Sequence, residues 1–267
     1  MVKLFTLLCQ RPRIRKRLWR FLYQLLAACH REENWSFMNY GYQPLNPKER
    51  NPNLIPEDLP SRYSIQLYTH LVRGVDLSGL CVLEVGSGRG GGSSYIKRYL
   101  QPGMMVGLDY ATKAIAFSKA HHCIKGLYFV PGDAESLPFR SNAFDAVINL
   151  ESSHCYGSMG LFLAEVRRVL KPGGYFLYAD FRARGEIARW CEQLRISGFS
   201  LLKQRDITAN VLAALDCDEQ RKLNLIRKRI PRFLEKPLRE FAALQGSRVY
   251  RGFRAGDANY MSFVLKK

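Results

Sequence analysis

Short apolar runs recur along the middle of the chain, and segments of helical character separate them. The runs predict five β-strands, because they are rich in β-branched, aliphatic and aromatic residues and are followed by turn-forming or acidic residues. They span residues 82–85, 105–109, 127–130, 144–150 and 175–179. Strands that alternate with helices along a chain predict an α/β fold built on a parallel sheet.

The two ends of the chain add further elements to this core. Residues 185–196 predict a helix, 200–204 a sixth strand and 260–265 the final strand. Between the last two strands, residues 207–244 are helical in character, interrupted at Pro231 and Pro237. The predicted organisation is an N-terminal helical cap with a proline-rich connector over 1–60, a core over 61–206, a helical insertion forming a substrate lid over 207–246, and the last core strand over 247–267.

The net charge of +18 is concentrated outside the predicted core, over residues 11–20 and 221–239. Residues 11–30 also carry apolar side chains at helical spacing, which predicts a basic amphipathic helix. We expect this helix to form part of a lid over the active site, and the alternative is contact with an anionic membrane surface. Nucleic acid is another partner of such basic clusters, and helix faces that only aid solubility are the remaining interpretation.

Length, cysteine content and hydropathy limit the class of protein. The 267 residues suffice for one well-buried domain with additions. The seven cysteines are scattered and form no C-x-x-C pair, which predicts a reducing compartment with neither a disulfide framework nor a metal site. No apolar run approaches the roughly 20 residues that span a bilayer, and the start of the chain lacks the pattern of a signal peptide. We therefore expect a cytoplasmic protein, peripheral to the membrane if its basic helices bind lipid.

The loop after the first predicted strand carries the strongest chemical signal. Gly86, Gly88 and Gly91 fit the G-x-G-x-x-G of dinucleotide sites. Gly86, Gly88 and Gly90 equally fit the E-x-G-x-G-x-G of sites for S-adenosylmethionine (SAM). Glu84 favours SAM, which carries an ammonium and a sulfonium but no pyrophosphate. A glycine turn with no ligand is the alternative to both.

Polar residues after the next two strands complete a candidate cofactor site. Asp109 ends the second strand, where a carboxylate accepts hydrogen bonds from both ribose hydroxyls. Beyond the third strand, Asp133 is suited to accept from the adenine amino group, and Ala134 offers a backbone N–H to the ring. These blocks, together with Leu-Lys-Pro-Gly-Gly at 170–174, resemble those of class I SAM-dependent methyltransferases over roughly residues 80–181.

This resemblance implies a Rossmann-like seven-stranded sheet with helices on both faces, added helical cap segments, and SAM as the cofactor. It implies that Glu84, Gly86, Gly88, Asp109, Asp133 and Ala134 line the cofactor pocket. We add Gly90, Tyr110 and Glu151 to the predicted set.

The loop after the fourth strand contains the candidate base, His154. Ligands of open α/β sheets bind beyond the carboxyl ends of the strands, so this loop faces the transferable methyl group. An aliphatic hydroxyl does not ionise beforehand, and a positioned histidine accepts its proton as the new bond forms. Asp180, at the end of the fifth strand, is suited to orient the imidazole and stabilise its charge. The alternatives are a histidine that only shapes the pocket and an aspartate that caps a helix.

The loop sequence Glu-Ser-Ser-His-Cys-Tyr at 151–156 narrows the resemblance. Together with residues 162–166 and 170–176, it resembles the phthiotriol/phenolphthiotriol dimycocerosate methyltransferases and related polyketide-tailoring O-methyltransferases. The resemblance implies O-methylation of a hydroxyl on a large lipidic or polyketide molecule.

Other activities stay open at this point. C-methylation is one, since a histidine also serves carbon acids. RNA methylation is disfavoured, because residues 149–152 lack the N/D-P-P-Y-type motif of amino-methylating enzymes. A non-catalytic SAM-binding protein is disfavoured by the presence of both His154 and Asp180.

Overall fold

The computed structural model of the protein describes residues 35–49, 51–229 and 232–267. In these residues the apolar runs form a seven-stranded sheet in the order β3-β2-β1-β4-β5-β7-β6. The strands are β1 (Cys81–Val85), β2 (Met104–Asp109), β3 (Leu127–Pro131), β4 (Phe144–Leu150), β5 (Leu170–Ala183), β6 (Ser200–Asp206) and β7 (Ala258–Lys266). Strands β1 to β5 pair in parallel, and β7 runs antiparallel to both β5 and β6.

Helices connect the strands and cover both faces of the sheet. They are α1 (Arg62–Val72), α2 (Gly91–Tyr99), α3 (Thr112–His121), α4 (Met159–Val169), α5 (Ile187–Ile196), α6 (Thr208–Arg229), α7 (Arg232–Phe241) and α8 (Arg248–Ala255). The predicted seven-stranded α/β sheet with added helical segments is confirmed.

Successive residues of the central strands belong to two apolar layers, one on each face of the sheet, as the period of a strand requires. In β5, Leu177 packs in one layer, and its neighbours Phe176 and Tyr178 pack in the other. Phe162 of α4 and Trp190 of α5 close the second layer. Burial on both faces holds the strands in register and so fixes where their carboxyl ends lie.

The order of the strands reverses between β1 and β4. The chain proceeds from β1 outward through β2 to β3, then returns to pair β4 with the other side of β1. The loops that follow β1 and β4 therefore leave the sheet in opposite directions, which opens a crevice at its carboxyl edge. The candidate site lies in that crevice.

The structure departs from the predicted organisation in three places. A 3₁₀ turn, Pro56–Ser61, lies in the connector predicted as irregular, since proline at the start of such a turn already has a suitable φ. Helix α7 continues through Pro237, whose φ is compatible with a helix although it removes one backbone hydrogen bond. Helix α8 occupies a segment where only the last strand was predicted. Ser247 caps its start and the left-handed Gly256 ends it.

Two predictions concern membranes and the N-terminal region. In the described part of the chain, no helix combines the length and the apolar composition that crossing a bilayer requires. The basic amphipathic helix predicted over residues 11–30 lies outside the described residues, as does Pro231.

Adjacent residues of α4 provide a matched test of the second apolar layer. Phe162 is fully buried against the rings of Phe176 and Tyr178, whereas Leu161 is 56% exposed. We expect Phe162→Ala to lower the free energy of unfolding by about 3–5 kcal/mol. Leu161→Ala should lower it by no more than about 0.5 kcal/mol. Urea denaturation of both variants measures the difference, and equal losses would contradict this packing.

Candidate active site

A cavity of about 970 Å³ opens at the carboxyl edge of the sheet, between the loops that follow β1, β2, β3 and β4. Most of the predicted cofactor residues reach its wall. They are Gly86, Gly88, Asp109, Tyr110, Asp133, Ala134 and Glu151. The segment 36–39, Tyr68, Arg89 and Tyr156 also line it, and sequence reasoning did not find them.

Two glycines of the loop after β1 have left-handed backbones for different reasons. Gly86 has φ +80°, and a Cβ there would collide with the Ser152 side chain across the crevice. Gly90 has φ +79° and begins α2, and a Cβ there would lie 2.6 Å from the Phe129 ring. Gly90 is therefore a turn residue packed against Phe129, and it is not among the described residues that line the cavity; its predicted part in cofactor binding stays a prediction.

Glu84 is likewise set back from the cavity. Its carboxylate is buried, accepts hydrogen bonds from Tyr68 Oη at 2.6 Å and from Ser93 Oγ, and is absent from the lining formed by the described residues. Burial raises the pKa of Glu84 to about 7. Glu84 thus holds Tyr68, which lines the cavity, and its predicted contact with the cofactor stays a prediction.

Asp109 joins the end of β2 to the glycine loop. Its carboxylate accepts hydrogen bonds at 2.8 Å from the backbone N–H groups of Gly88 and Ala111. Burial raises the pKa of Asp109 above its ordinary value. The Tyr110 N–H is a third donor to this carboxylate, and since its two oxygens together accept about four hydrogen bonds, capacity for one more remains.

Asp180 is the most completely enclosed acid near the crevice, with no exposed surface. It accepts hydrogen bonds from Ser153 Oγ at 2.5 Å, from the backbone N–H of His154 at 2.9 Å and from that of Phe181 at 2.8 Å. The Arg182 guanidinium lies 3.2 Å from the carboxylate. Burial alone would raise the pKa of Asp180, but the charges of His154 and Arg182 outweigh it and hold the pKa below its ordinary value.

The predicted pairing of His154 with Asp180 is present, with Nδ1 2.9 Å from Oδ1. Burial alone would lower the pKa of His154, but Cys155 and the Asp180 carboxylate raise it to about 10. In the described residues, the Ser152 and Cys155 neighbours of His154 line the cavity, and the imidazole itself does not.

Glu151 combines an unusual backbone with a half-buried acid. Its φ of +48° lies in the left-handed region, which is uncommon outside glycine and concentrated at functional sites. Its Oε1 accepts hydrogen bonds at 2.9 Å from the Tyr40 N–H and from Tyr260 Oη. Burial raises the pKa of Glu151 to about 7. Neither tyrosine was predicted as a residue of the site, because each comes from a segment distant in sequence from Glu151.

A second cavity, of about 750 Å³, adjoins the first, and Phe37, Met38 and Asn39 line both. Arg221 and Lys222, part of the second predicted basic cluster, line it too. Lys222 is only 12% exposed, whereas Arg221 is 32% exposed, so of the two it is Lys222 that the cavity largely encloses. Within the described ranges, no group of three or more histidine, cysteine or acidic side chains is arranged to hold a metal ion.

Comparison with known proteins identifies the family. A family model described as "Methyltransferase domain" matches residues 83–178. A phthiotriol/phenolphthiotriol dimycocerosates methyltransferase of Mycobacterium tuberculosis is 41% identical over 252 residues, covering 94% of this chain and 93% of that protein. The chain belongs to this methyltransferase family. A fatty-acid O-methyltransferase of Mycolicibacterium smegmatis is 38% identical over 253 residues, with coverage of 93% and 89%.

Solved structures show the same methyltransferase fold at low identity. The [4+2]-cyclase SpnF has a TM-score of 0.66 at 19% identity, with 94% of each chain covered. A geranyl diphosphate C-methyltransferase of Streptomyces coelicolor has a TM-score of 0.63 at 14% identity, with coverage of 91% and 97%. The predicted family, enzyme class and cofactor are confirmed: the protein is a SAM-dependent methyltransferase.

The His154–Asp180 pair predicts an ordering of histidine pKa values that NMR can measure. Burial lowers the pKa of His70 to about 4 and also lowers that of His122, whereas the pKa of His154 is raised. We expect the His154 signal, assigned by its loss in His154→Asn, to titrate well above 6.5. In Asp180→Asn its pKa should fall, since burial then acts with less opposition. A wild-type value at or below 6.5 would contradict the electrostatic role of Asp180.

Proposed function

We propose that this methyltransferase transfers the methyl group of SAM to a hydroxyl oxygen of a long-chain lipid or polyketide acceptor, with His154 as the general base. The proposal rests on one observation, the His154–Asp180 pair beside the cavity at the carboxyl ends of β4 and β5. The names of the relatives, which act on phthiotriol-type dimycocerosates and on fatty acids, support the acceptor class.

The chemistry of the first cavity suits SAM. Asp109 keeps acceptor capacity for a ribose hydroxyl, and the glycine loop that it holds lets backbone approach the ligand. Asp133 and Ala134, in the loop after β3, are assigned to the adenine ring. When bound, SAM supplies a methyl group activated by its attachment to a sulfonium.

His154 accepts the proton that the acceptor hydroxyl loses. Because Nδ1 donates to Asp180, Nε2 is the nitrogen that takes the hydroxyl proton as the oxygen–carbon bond forms. The Asp180 carboxylate stabilises the imidazolium that results. The raised pKa makes His154 a strong base once deprotonated, so the active fraction increases as the pH rises toward that pKa, about 10.

The two basic segments predict that the protein also binds at the periphery of an anionic lipid membrane, and this stays a prediction. Arg227 and Lys236, from the second cluster, are exposed on α6 and α7 and are available to such a surface. Each basic residue near an anionic membrane contributes about 1 kcal/mol of attraction.

Two alanine variants separate cofactor binding from proton transfer. Asp109→Ala should weaken SAM binding by about 1.5–3 kcal/mol, the range for hydrogen bonds to a charged group. His154→Ala should leave SAM affinity unchanged and lower turnover by about 10²–10⁴-fold, the usual contribution of a general base. Calorimetry measures the first effect, and labelled-methyl transfer to a panel of long-chain alcohols measures the second.

Asp180→Asn serves as the graded control, because it keeps the shape of the side chain and removes its charge. The turnover of Asp180→Asn should lie between those of the wild type and His154→Ala, because the imidazole is kept but its orientation and charge stabilisation are weakened. Its affinity for SAM should be unchanged. A His154→Ala enzyme of near-normal turnover would overturn the role of the base, and methyl transfer would then depend on alignment alone.

A further inference from the structure

The second cavity is enclosed by apolar side chains from segment 35–40, α6 and α7. The apolar residues of its wall include Trp35, Phe37, Met38, Leu225, Ile226 and Leu238. Ile226 and Leu238 also belong to a small cluster of buried residues separate from the two sheet layers. Walls of this composition favour a flexible aliphatic chain, since transfer of its methylenes out of water is favourable.

Two cations interrupt this apolar wall at one side. Arg221 donates two hydrogen bonds to Asp218, at 2.5 and 2.6 Å, and Lys222 Nζ lies 3.8 Å from the same carboxylate. Arg221 is paired with Asp218 and is 32% exposed, whereas Lys222 is 12% exposed, and burial lowers the pKa of Lys222 although Asp218 and Glu151 oppose that effect. Keeping the Lys222 ammonium charged in this apolar environment is therefore costly. A ligand that brings a negative charge removes this cost.

Lys222 is the cation placed to meet such a ligand. Its side chain is 12% exposed and lines the cavity, and its ammonium donates to the Tyr40 carbonyl at 3.3 Å. An ammonium has three donors, so this contact leaves donor capacity for a ligand oxygen. Arg221, in contrast, is engaged in a two-pronged pair with Asp218.

The backbone of Tyr40 connects the two cavities. Its carbonyl accepts from Lys222 on the side of the second cavity, and its N–H donates at 2.9 Å to Glu151, which lines the first. The charged side of the apolar cavity and the cavity assigned to the methyl donor thus contact the backbone of the same residue.

We propose that the second cavity binds the acyl chain of the acceptor and that Lys222 binds a carboxylate at the polar end of that chain. The site would select long aliphatic carboxylates over neutral molecules of the same length. This inference rests on the proposed function, because it places the acceptor beside the methyl donor.

The test is equilibrium dialysis of the full-length protein, without SAM, against radiolabelled palmitate and 1-hexadecanol. A salt concentration of about 0.3 M limits non-specific attraction of palmitate to the basic surface. The wild type should bind one palmitate at least about tenfold more tightly than the alcohol, the scale of a charge-assisted hydrogen bond. Lys222→Met should lose that preference while its affinity for 1-hexadecanol changes less than about threefold.

Two further variants make the result specific. Ala242→Trp, which fills the cavity from the turn after α7, should weaken the binding of both ligands by at least about tenfold. Lys119→Met, a matched change at an exposed lysine of α3, should bind both ligands as the wild type does. If Lys222→Met fails to fold, Lys222→Gln is measured in its place.

The proposal is overturned if the wild type shows no preference for palmitate, if the Lys222 variant keeps it, or if Ala242→Trp binds normally. Because the assay contains no SAM and records no methyl transfer, these outcomes leave the role of His154 untouched. Conversely, normal turnover in His154→Ala would overturn the proposed base and leave this binding site in place.

Discussion

The buried carboxylate of Asp180 constrains the arrangement around the crevice more than any other group described. A charge with no exposed surface is tolerated only where donors and opposite charges surround it. Here the donors come from the loop after β4 and from the end of β5, and Arg182 supplies the opposite charge. Meeting these requirements fixes His154, whose backbone N–H and Nδ1 both point at the same acid.

The sheet makes this enclosure possible. β5 pairs with β4 on one side and with β7 on the other, and Asp180 lies opposite Met261 of β7, one residue beyond the last β4–β5 pair, Leu150–Ala179. The antiparallel β7 therefore does more than close the sheet. It brings Tyr260 to the half-buried Glu151 and so ties the last strand to the cavity wall.

How far the sequence predicted the molecule depended on the range of the interactions involved. The central strands and the acids that follow them were predicted from local patterns, whereas the seven-stranded sheet came from the family resemblance; parallel strands place their carboxyl ends at one edge, which gathers these acids. The contacts of Glu84 with Tyr68 and Ser93 could not be predicted, because only packing shows where its side chain turns. Lys222 was read as part of a surface cluster, since a charge pattern along a helix does not reveal which face is covered by another segment.

The central claim is that methyl transfer goes to an oxygen whose proton His154 removes. It is tested most directly by incubating the enzyme with SAM carrying a ¹³C-labelled methyl group and long-chain hydroxylated acceptors, and locating the label in the product by NMR. The account predicts a labelled methoxy group, formed by the wild type and nearly absent with His154→Ala. Label on carbon, or equal methoxy formation by both enzymes, would contradict it.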